Sequence, residues 1–280
     1  MRMRAAGRRL PFVLALAILG SIVANAVPAH ATVGSGIGWH VVCTFSHRAQ
    51  DDPIVMPGMP GMAAHMHDFY GNTGTDASST TDSLLAGQTT CSDPFDESGY
   101  WVPELLYRGV AHRAAEMIVY YRAETTPYSD IQPFPQGLRV IAGNSHATRP
   151  QSTAVVSWSC QFDRPRSMPV DCKKKDVTAK IRFPSCWDGQ NLDSADHQSH
   201  MAYTLASGAC PMGYPVALPK VFMDLRFNGV HNGTKVRLTS GPAYTLHADM
   251  FSAWQTNEQA GLVQSCIYAS TNCGRAMGMM

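Results

Sequence analysis

A mainly β, single-domain sandwich of jelly-roll type, with long disulfide-stapled loops and few helices, is the fold class this sequence predicts. Three observations predict it. Short strand-like runs recur, with turn residues between them. Glycine (23) and proline (18) are plentiful, which favours short elements. Helical periodicity is scarce.

The runs follow in order. Residues 39–45 and 117–122 are rich in Trp, Val, Ile and Tyr, which suit a pleated, half-buried surface. Residues 137–142, 154–160, 178–183, 221–227, 234–239 and 243–250 complete the set, several alternating apolar and polar side chains. Asn228-Gly229 and Asn232-Gly233 read as tight turns. One helix is expected at residues 257–269, with Leu262, Val263, Cys266 and Ile267 on one face. No linker, charge run or long repeat divides the chain, so one domain is expected over residues 32–280, its core at about 39–266.

The first 31 residues read differently. Arg2, Arg4, Arg8 and Arg9 precede an uncharged run from Leu10 to Ala24, and Ala29-His30-Ala31 places small residues where a signal peptidase reads them. A signal peptide cleaved after Ala31 is expected, and with it a secreted, extracellular protein. A membrane anchor is the rival, but the apolar run is short of the roughly 20 residues a span needs. Without those arginines, 18 basic residues face 21 acidic ones, a formal charge of −3. A nucleic-acid partner is therefore not expected, nor a membrane once the signal is gone, and the protein reads as a monomer. All eight cysteines follow the signal, an even number that suits up to four disulfides, and no CxxC pair suggests a zinc ribbon. Their pairing is left open by the sequence.

Chemistry concentrates in three clusters. In His65-Met66-His67, residues two apart share one face of an extended chain and can offer two imidazoles to one ion. Residues 183–203 hold Asp188, Asp193, Asp196, His197 and His200 beside Trp187 and Tyr203. If any part of it is helical, Asp193/His197 and Asp196/His200 are i,i+4 pairs, and a carboxylate can fix an imidazole's tautomer. Alternatively the same residues cap turns in a polar loop. His247-Ala248-Asp249 repeats the i,i+2 pattern, ending at Trp254. Three imidazoles and a carboxylate would suit a divalent metal, zinc or copper. The near-elbow Gly143-Asn144-Ser145-His146 lacks the following helix that a nucleophile elbow needs. Met56, Met59 and Met62, spaced three apart, would line one side of a polyproline-like segment and could hold copper(I), or they mark a simple Pro-Gly loop.

Across these clusters the chain resembles a secreted family of unknown function, DUF1996. The resemblance rests on Asp52-Pro-Ile-Val55, Pro57-Gly58, His65-Met-His67, Phe69-Tyr-Gly71, Tyr100-Trp-Val-Pro103, Tyr120-Tyr121, Phe134-Pro-Gln-Gly137 and Ile141-Ala-Gly143. It is strongest at Phe183-Pro-Ser-Cys-Trp-Asp-Gly189 with Asn191-Leu-Asp-Ser194, His197, Ser199-His200, Cys210-Pro211 and His247-Ala-Asp249 to Trp254. It implies an extracellular, disulfide-bonded single domain. Fungal members often carry a WSC carbohydrate-binding module, which leans the function toward glycans. This chain departs from the pattern in its repeated Met-Pro-Gly and in Gln255, where fungal members have Asp.

The reading that follows is a secreted protein acting on an extracellular glycan, in the enzymatic case a polysaccharide hydrolase. His65, His67, His200, His247 and Asp249 are expected to converge on a metal. Asp188, Asp193, Asp196 and His197 would act as acid or base. Trp187, Tyr203 and Trp254 would stack on sugar rings. A non-catalytic carbohydrate- or ion-binding module and a copper-handling protein are the alternatives.

Overall fold

The computed structural model describes residues 36–278 apart from Thr126, all inside one compact unit, Val33–Met280. The expected signal segment and its cleavage site lie outside the described residues.

Seventeen strands follow one another: β1 (Gly38–Ala49), β2 (His67–Gly71), β3 (Gly99–Pro103), β4 (Leu105–Tyr107), β5 (Val110–His112), β6 (Glu116–Arg122), β7 (Arg139–Gly143), β8 (Val156–Cys160), β9 (Val177–Arg182), β10 (Cys186–Trp187), β11 (Met201–Ala202), β12 (Val216–Ala217), β13 (Lys220–Phe227), β14 (Val236–Leu238), β15 (Gly241–Pro242), β16 (His247–Phe251) and β17 (Asn272–Arg275). Ten of them form one sheet in the order β7-β16-β3-β2-β1-β6-β13-β9-β8, with β17 added parallel to β1. The long β1 joins the two halves. Its residues 38–44 pair with β6, the register then shifts between Phe45 and His47, and the end of the strand pairs with β2. A bulge of this kind bends a strand and lets one sheet fold over on itself.

The outer ends meet. Trp158 of β8 donates its indole N–H to the Ala243 carbonyl, and Gln151 Nε2 donates to the Leu246 carbonyl beside β16. The result is the expected mainly β sandwich, close to a closed barrel. Its interior holds Trp39, Tyr100, Tyr121, Trp158, Met223 and Trp254. Trp39 stacks on Tyr121 with ring centroids 5.0 Å apart.

The halves differ on their outer faces. β6 and β13 alternate buried and more open positions, and the alternation made them legible in the sequence. β2, β3 and β16 are buried at every position. A second apolar cluster of Ile54, Phe69, Leu84, Trp101, Phe251 and Ala253 covers their outer side. Strands buried on both faces lose the period-2 signal, which is why β2 and β3 escape the sequence pattern. The carboxyl-terminal helix forms as Thr256–Leu262 and continues as a π-turn, Val263–Tyr268. It buries the expected Leu262, Val263, Cys266 and Ile267. No described helix is long and apolar enough to cross a membrane.

The cysteines pair as Cys43–Cys91, Cys160–Cys172, Cys186–Cys210 and Cys266–Cys273. Four disulfides fit an extracellular or otherwise oxidising compartment. Alkylation of the unfolded, unreduced protein is expected to add no mass, whereas prior reduction adds eight labels; labelling before reduction would contradict these pairings.

Asp96 is fully buried and receives the Tyr100 hydroxyl at 2.7 Å. Burial pushes its carboxyl up to about 7. A raised folded-state pKa gives stability that is present below the unfolded value and lost as pH climbs toward 7. Asp96→Asn, which cannot ionise, is expected to lose less stability than the parent between pH 4 and pH 7. Urea midpoints at both pH values check this, and parallel losses would contradict it.

Candidate functional site

The site grows from the doubly covered half of the sheet. On β2, His67 points to the same face as Phe69, and on β16 His247 and Asp249 share the face of Phe251. β3 lies between them. His67 pairs with Pro103 and Asp249 with Trp101, so the histidine ends of both strands fall at one end of β3. His65 comes from the loop before β2. That loop is closed by reciprocal bonds between Gln50 and Ala63 and by the Asp51 carboxylate, which accepts the Gly61 N–H. Within it Met56-Pro-Gly-Met59 and Met59-Pro-Gly-Met62 form two successive turns, with Gly58 and Gly61 at φ near +70°. Pro then Gly at the two central positions suits a type II turn, whose second central residue needs positive φ. The segment is thus the Pro-Gly loop and not a polyproline stretch: Met56 and Met62 line the cleft described below, whereas Met59 is not among its lining residues.

Three imidazoles converge. His65, His67 and His247 each offer a ring nitrogen, and these three atoms lie within 4.8 Å of one another. His65 Nε2 stands 3.1 Å from His247 Nε2. The tautomers of two rings are fixed by their partners. His67 Nδ1 faces the Asp51 carbonyl at 2.9 Å and His247 Nδ1 faces the Thr245 carbonyl at 2.8 Å. A carbonyl only accepts, so both Nδ1 atoms carry the proton and both Nε2 atoms present a lone pair. His67 Nε2 is buried with no partner, and so is Asp249 Oδ2. Buried polar atoms are normally paired, so two orphans beside one imidazole cluster call for an explanation. An ion held by the three imidazoles would give His67 Nε2 the partner it lacks, while Asp249 lies outside that 4.8 Å group. Nitrogens about 2.0–2.1 Å from a tetrahedral zinc stand roughly 3.3 Å apart, close to the 3.1 Å between the Nε2 atoms of His65 and His247.

Burial keeps the three imidazoles uncharged. Burial, with the His146 charge behind it, lowers His65 to about 4. Burial lowers His247 to about 3 against the raising effect of its Thr245 bond. Burial and the two neighbouring imidazoles push His67 far down as well. The three rings are therefore neutral at ordinary pH, as metal ligation requires. Burial, with the Asp52 charge nearby, holds the Asp249 carboxyl well above its usual range.

The cluster opens into a cleft of about 480 Å³. Val55, Met56, Met62 and Ile141 supply its apolar wall, and Asp52, Asp196 and His197 its polar one. His197 Nδ1 stands 3.0 Å from both carboxylate oxygens of Asp193, and Arg139 lies 3.7 Å from Asp193. Asp193 thus fixes the His197 tautomer with Nδ1 protonated, leaving Nε2 as the acceptor.

Other expected residues take different places. His200 does not join the cluster: its Nε2 bonds the Arg139 carbonyl at 2.6 Å and its Nδ1 the Ser194 hydroxyl, so both nitrogens are used in packing the loop. Asp188 caps its own turn, accepting from the Gln190 and Asn191 backbone and from the Asn191 amide, away from the cleft. Asp196 reaches the cleft, where the backbone N–H of Ser199 and the Ser194 hydroxyl hold its carboxylate far below the usual range. Trp187 donates its indole N–H to the Asn191 carbonyl and packs on the core. Tyr203 lines a neighbouring depression that shares Asp196, Gln198 and Ile141 with the cleft, its hydroxyl bound to the Arg182 carbonyl. Trp254 is fully buried and donates to the Tyr121 hydroxyl, so it stacks on no sugar. Asp52 and His146 were not expected at the site. Asp52 carries a fingerprint visible only in the fold, a buried carboxylate capping Ile54 and Val55.

The family model described as "Domain of unknown function (DUF1996)" matches residues 52–254. The matched span contains every residue of the imidazole cluster and its cleft. No curated protein and no solved structure matches the chain. The chain belongs to the DUF1996 family of domains of unknown function.

Proposed function

We propose that this is an exported metal-dependent protein in which His65, His67, His247 and Asp249 hold a divalent ion, zinc or copper, at the base of a cleft where an extracellular polysaccharide is hydrolysed. One observation carries the reading: two buried imidazoles, each tied by Nδ1 to a backbone carbonyl, gather with a third so that their ring nitrogens lie within 4.8 Å of one another, and His67 Nε2 has no other partner. Backbone-anchored imidazoles are how proteins orient metal ligands. An ion there would supply Lewis-acid activation of water or of a substrate oxygen. The chain's own groups do the rest. His197, oriented by Asp193, accepts a proton at Nε2 and returns it to a leaving group. The ionised Asp196 at the mouth accepts hydrogen bonds from substrate hydroxyls. Val55, Met56 and Ile141 keep bulk water from one wall. Export is supported by the expected signal segment and the four disulfides, the glycan by the modules that accompany similar fungal domains.

The test is sugar release from a panel of soluble polysaccharides by zinc-loaded protein. Both His67→Ala and His197→Ala are expected to lower release, the latter by about 10²–10⁴-fold, as loss of a general base does. Release from no polysaccharide, or release unchanged in both variants, would overturn the reading.

A second reading, copper handling, is favoured by Met56 and Met62 in the cleft wall, because thioethers bind copper(I) and not zinc. Met56→Leu with Met62→Leu separates the two. Weakened copper(I) binding with unchanged zinc binding favours it, and unchanged binding of both opposes it.

A further inference from the structure

The other half of the sheet carries a second groove. Here β6, β13 and β9 turn alternate side chains outward, and their register sets Ile118, Asp224 and Lys180 in one row and Glu116, Arg226 and Thr178 near it. With Tyr120, Gln161, Phe162 and Asn228 they enclose a groove of about 380 Å³. That is within the roughly 300–1,000 Å³ of ligand clefts.

Three independent features call for an occupant. Phe162 is 96% exposed at the rim, on a turn that is not free to collapse. The Cys160–Cys172 disulfide and the Gln161 N–H bond to the Asp176 carbonyl hold that turn. Gln161 is kept at φ +55°, a conformation costly for a residue with a side chain. Next, Thr178 in the groove lining is only 6% exposed, and its Oγ1 has no partner. A buried hydroxyl without a partner is uncommon. Last, the charges balance. The four charged side chains of the lining, Glu116, Lys180, Asp224 and Arg226, sum to zero; Lys180 pairs with Asp224 at 2.8 Å, and Arg226 faces Asp176 at 3.4 Å. A groove with no net charge but many donors and acceptors suits a neutral, hydroxyl-rich ligand, and a bare ring at its rim suits a ligand with an apolar C–H face. A sugar has both properties.

We propose that this groove binds a neutral oligosaccharide, with Phe162 against a sugar ring and Thr178, Lys180, Asp224 and Arg226 bonding its hydroxyls. It depends on nothing in the metal cleft, whose lining residues are all different. The experiment is calorimetric titration of the mature protein with cellohexaose, xylohexaose, laminarihexaose, chitohexaose and, as a charged control, an oligogalacturonate hexamer. Saturable binding of at least one neutral hexamer is expected. Phe162→Ala and Thr178→Val should each weaken it, the former by roughly tenfold or more. The exposed Phe162 side chain contributes little to folding, so its loss leaves the fold intact. His67→Ala should leave this binding unchanged. Binding by no neutral hexamer, preference for the charged one, indifference to Phe162→Ala, or loss on His67→Ala would each overturn the proposal.

Discussion

Removing the His67 imidazole is expected to abolish the thermal stabilisation that zinc or copper gives the parent protein. An ion that binds the folded state alone stabilises it by about 2.7 kcal/mol at a hundred times its Kd. For a domain of this size that corresponds to a rise of roughly 5–10 °C. His67 is the sharpest position for the test. It is fully buried, its Nδ1 is spent on the Asp51 carbonyl, and its Nε2 has no other partner. His67→Ala leaves two imidazoles, too few to hold the ion with comparable strength. His200→Ala is the control, since His200 is tied to Arg139 and Ser194 instead. Scanning fluorimetry with and without added ion reads both. Equal metal-induced shifts in parent and His67→Ala would contradict the assignment.

Trp254→Ala is expected to cost about 3–5 kcal/mol of stability, the range for emptying a large aromatic site in a packed core. The indole meets Trp39 and Tyr121 edge-on, at centroid distances of 6.3 and 5.7 Å. Its N–H also donates to the Tyr121 hydroxyl, which stands beside Tyr100 and through it Asp96. The substitution therefore leaves both a cavity and a weakened buried network. Urea unfolding measures it. A loss below about 1 kcal/mol, the size of an ordinary surface change, would mean the residue is not in the core.

Much of this was legible in the sequence. The fold class followed from recurring short runs, and the alternating strands β6, β9 and β13 fell near their expected bounds. Disulfide bonding followed from the even count of eight cysteines, all of which pair. The i,i+2 spacing of His247/Asp249 carried real information, because both lie on the sheet face that His67 shares, whereas His65 reaches the cluster from the loop before β2. His200 failed for a physical reason. Spacing shows which residues share a face but not which backbone carbonyl will claim a ring nitrogen, and Arg139 claims this one. His197, four residues after Asp193, took the place in the cleft wall. Trp254 failed because an aromatic beside polar residues looks the same in sequence whether it faces a core or a ligand. Asp52 and His146 come to the cleft from loops whose approach depends on the whole fold.

The most direct test is crystallographic. Anomalous difference maps from crystals of zinc-loaded protein, collected on either side of the metal absorption edge, locate the ion without assumption. The account predicts one strong site about 2.0–2.1 Å from a ring nitrogen of each of His65, His67 and His247, with Asp249 turned toward it. No ion at that cluster at saturating zinc, or an ion held elsewhere with His67 Nε2 still unpartnered, would contradict it.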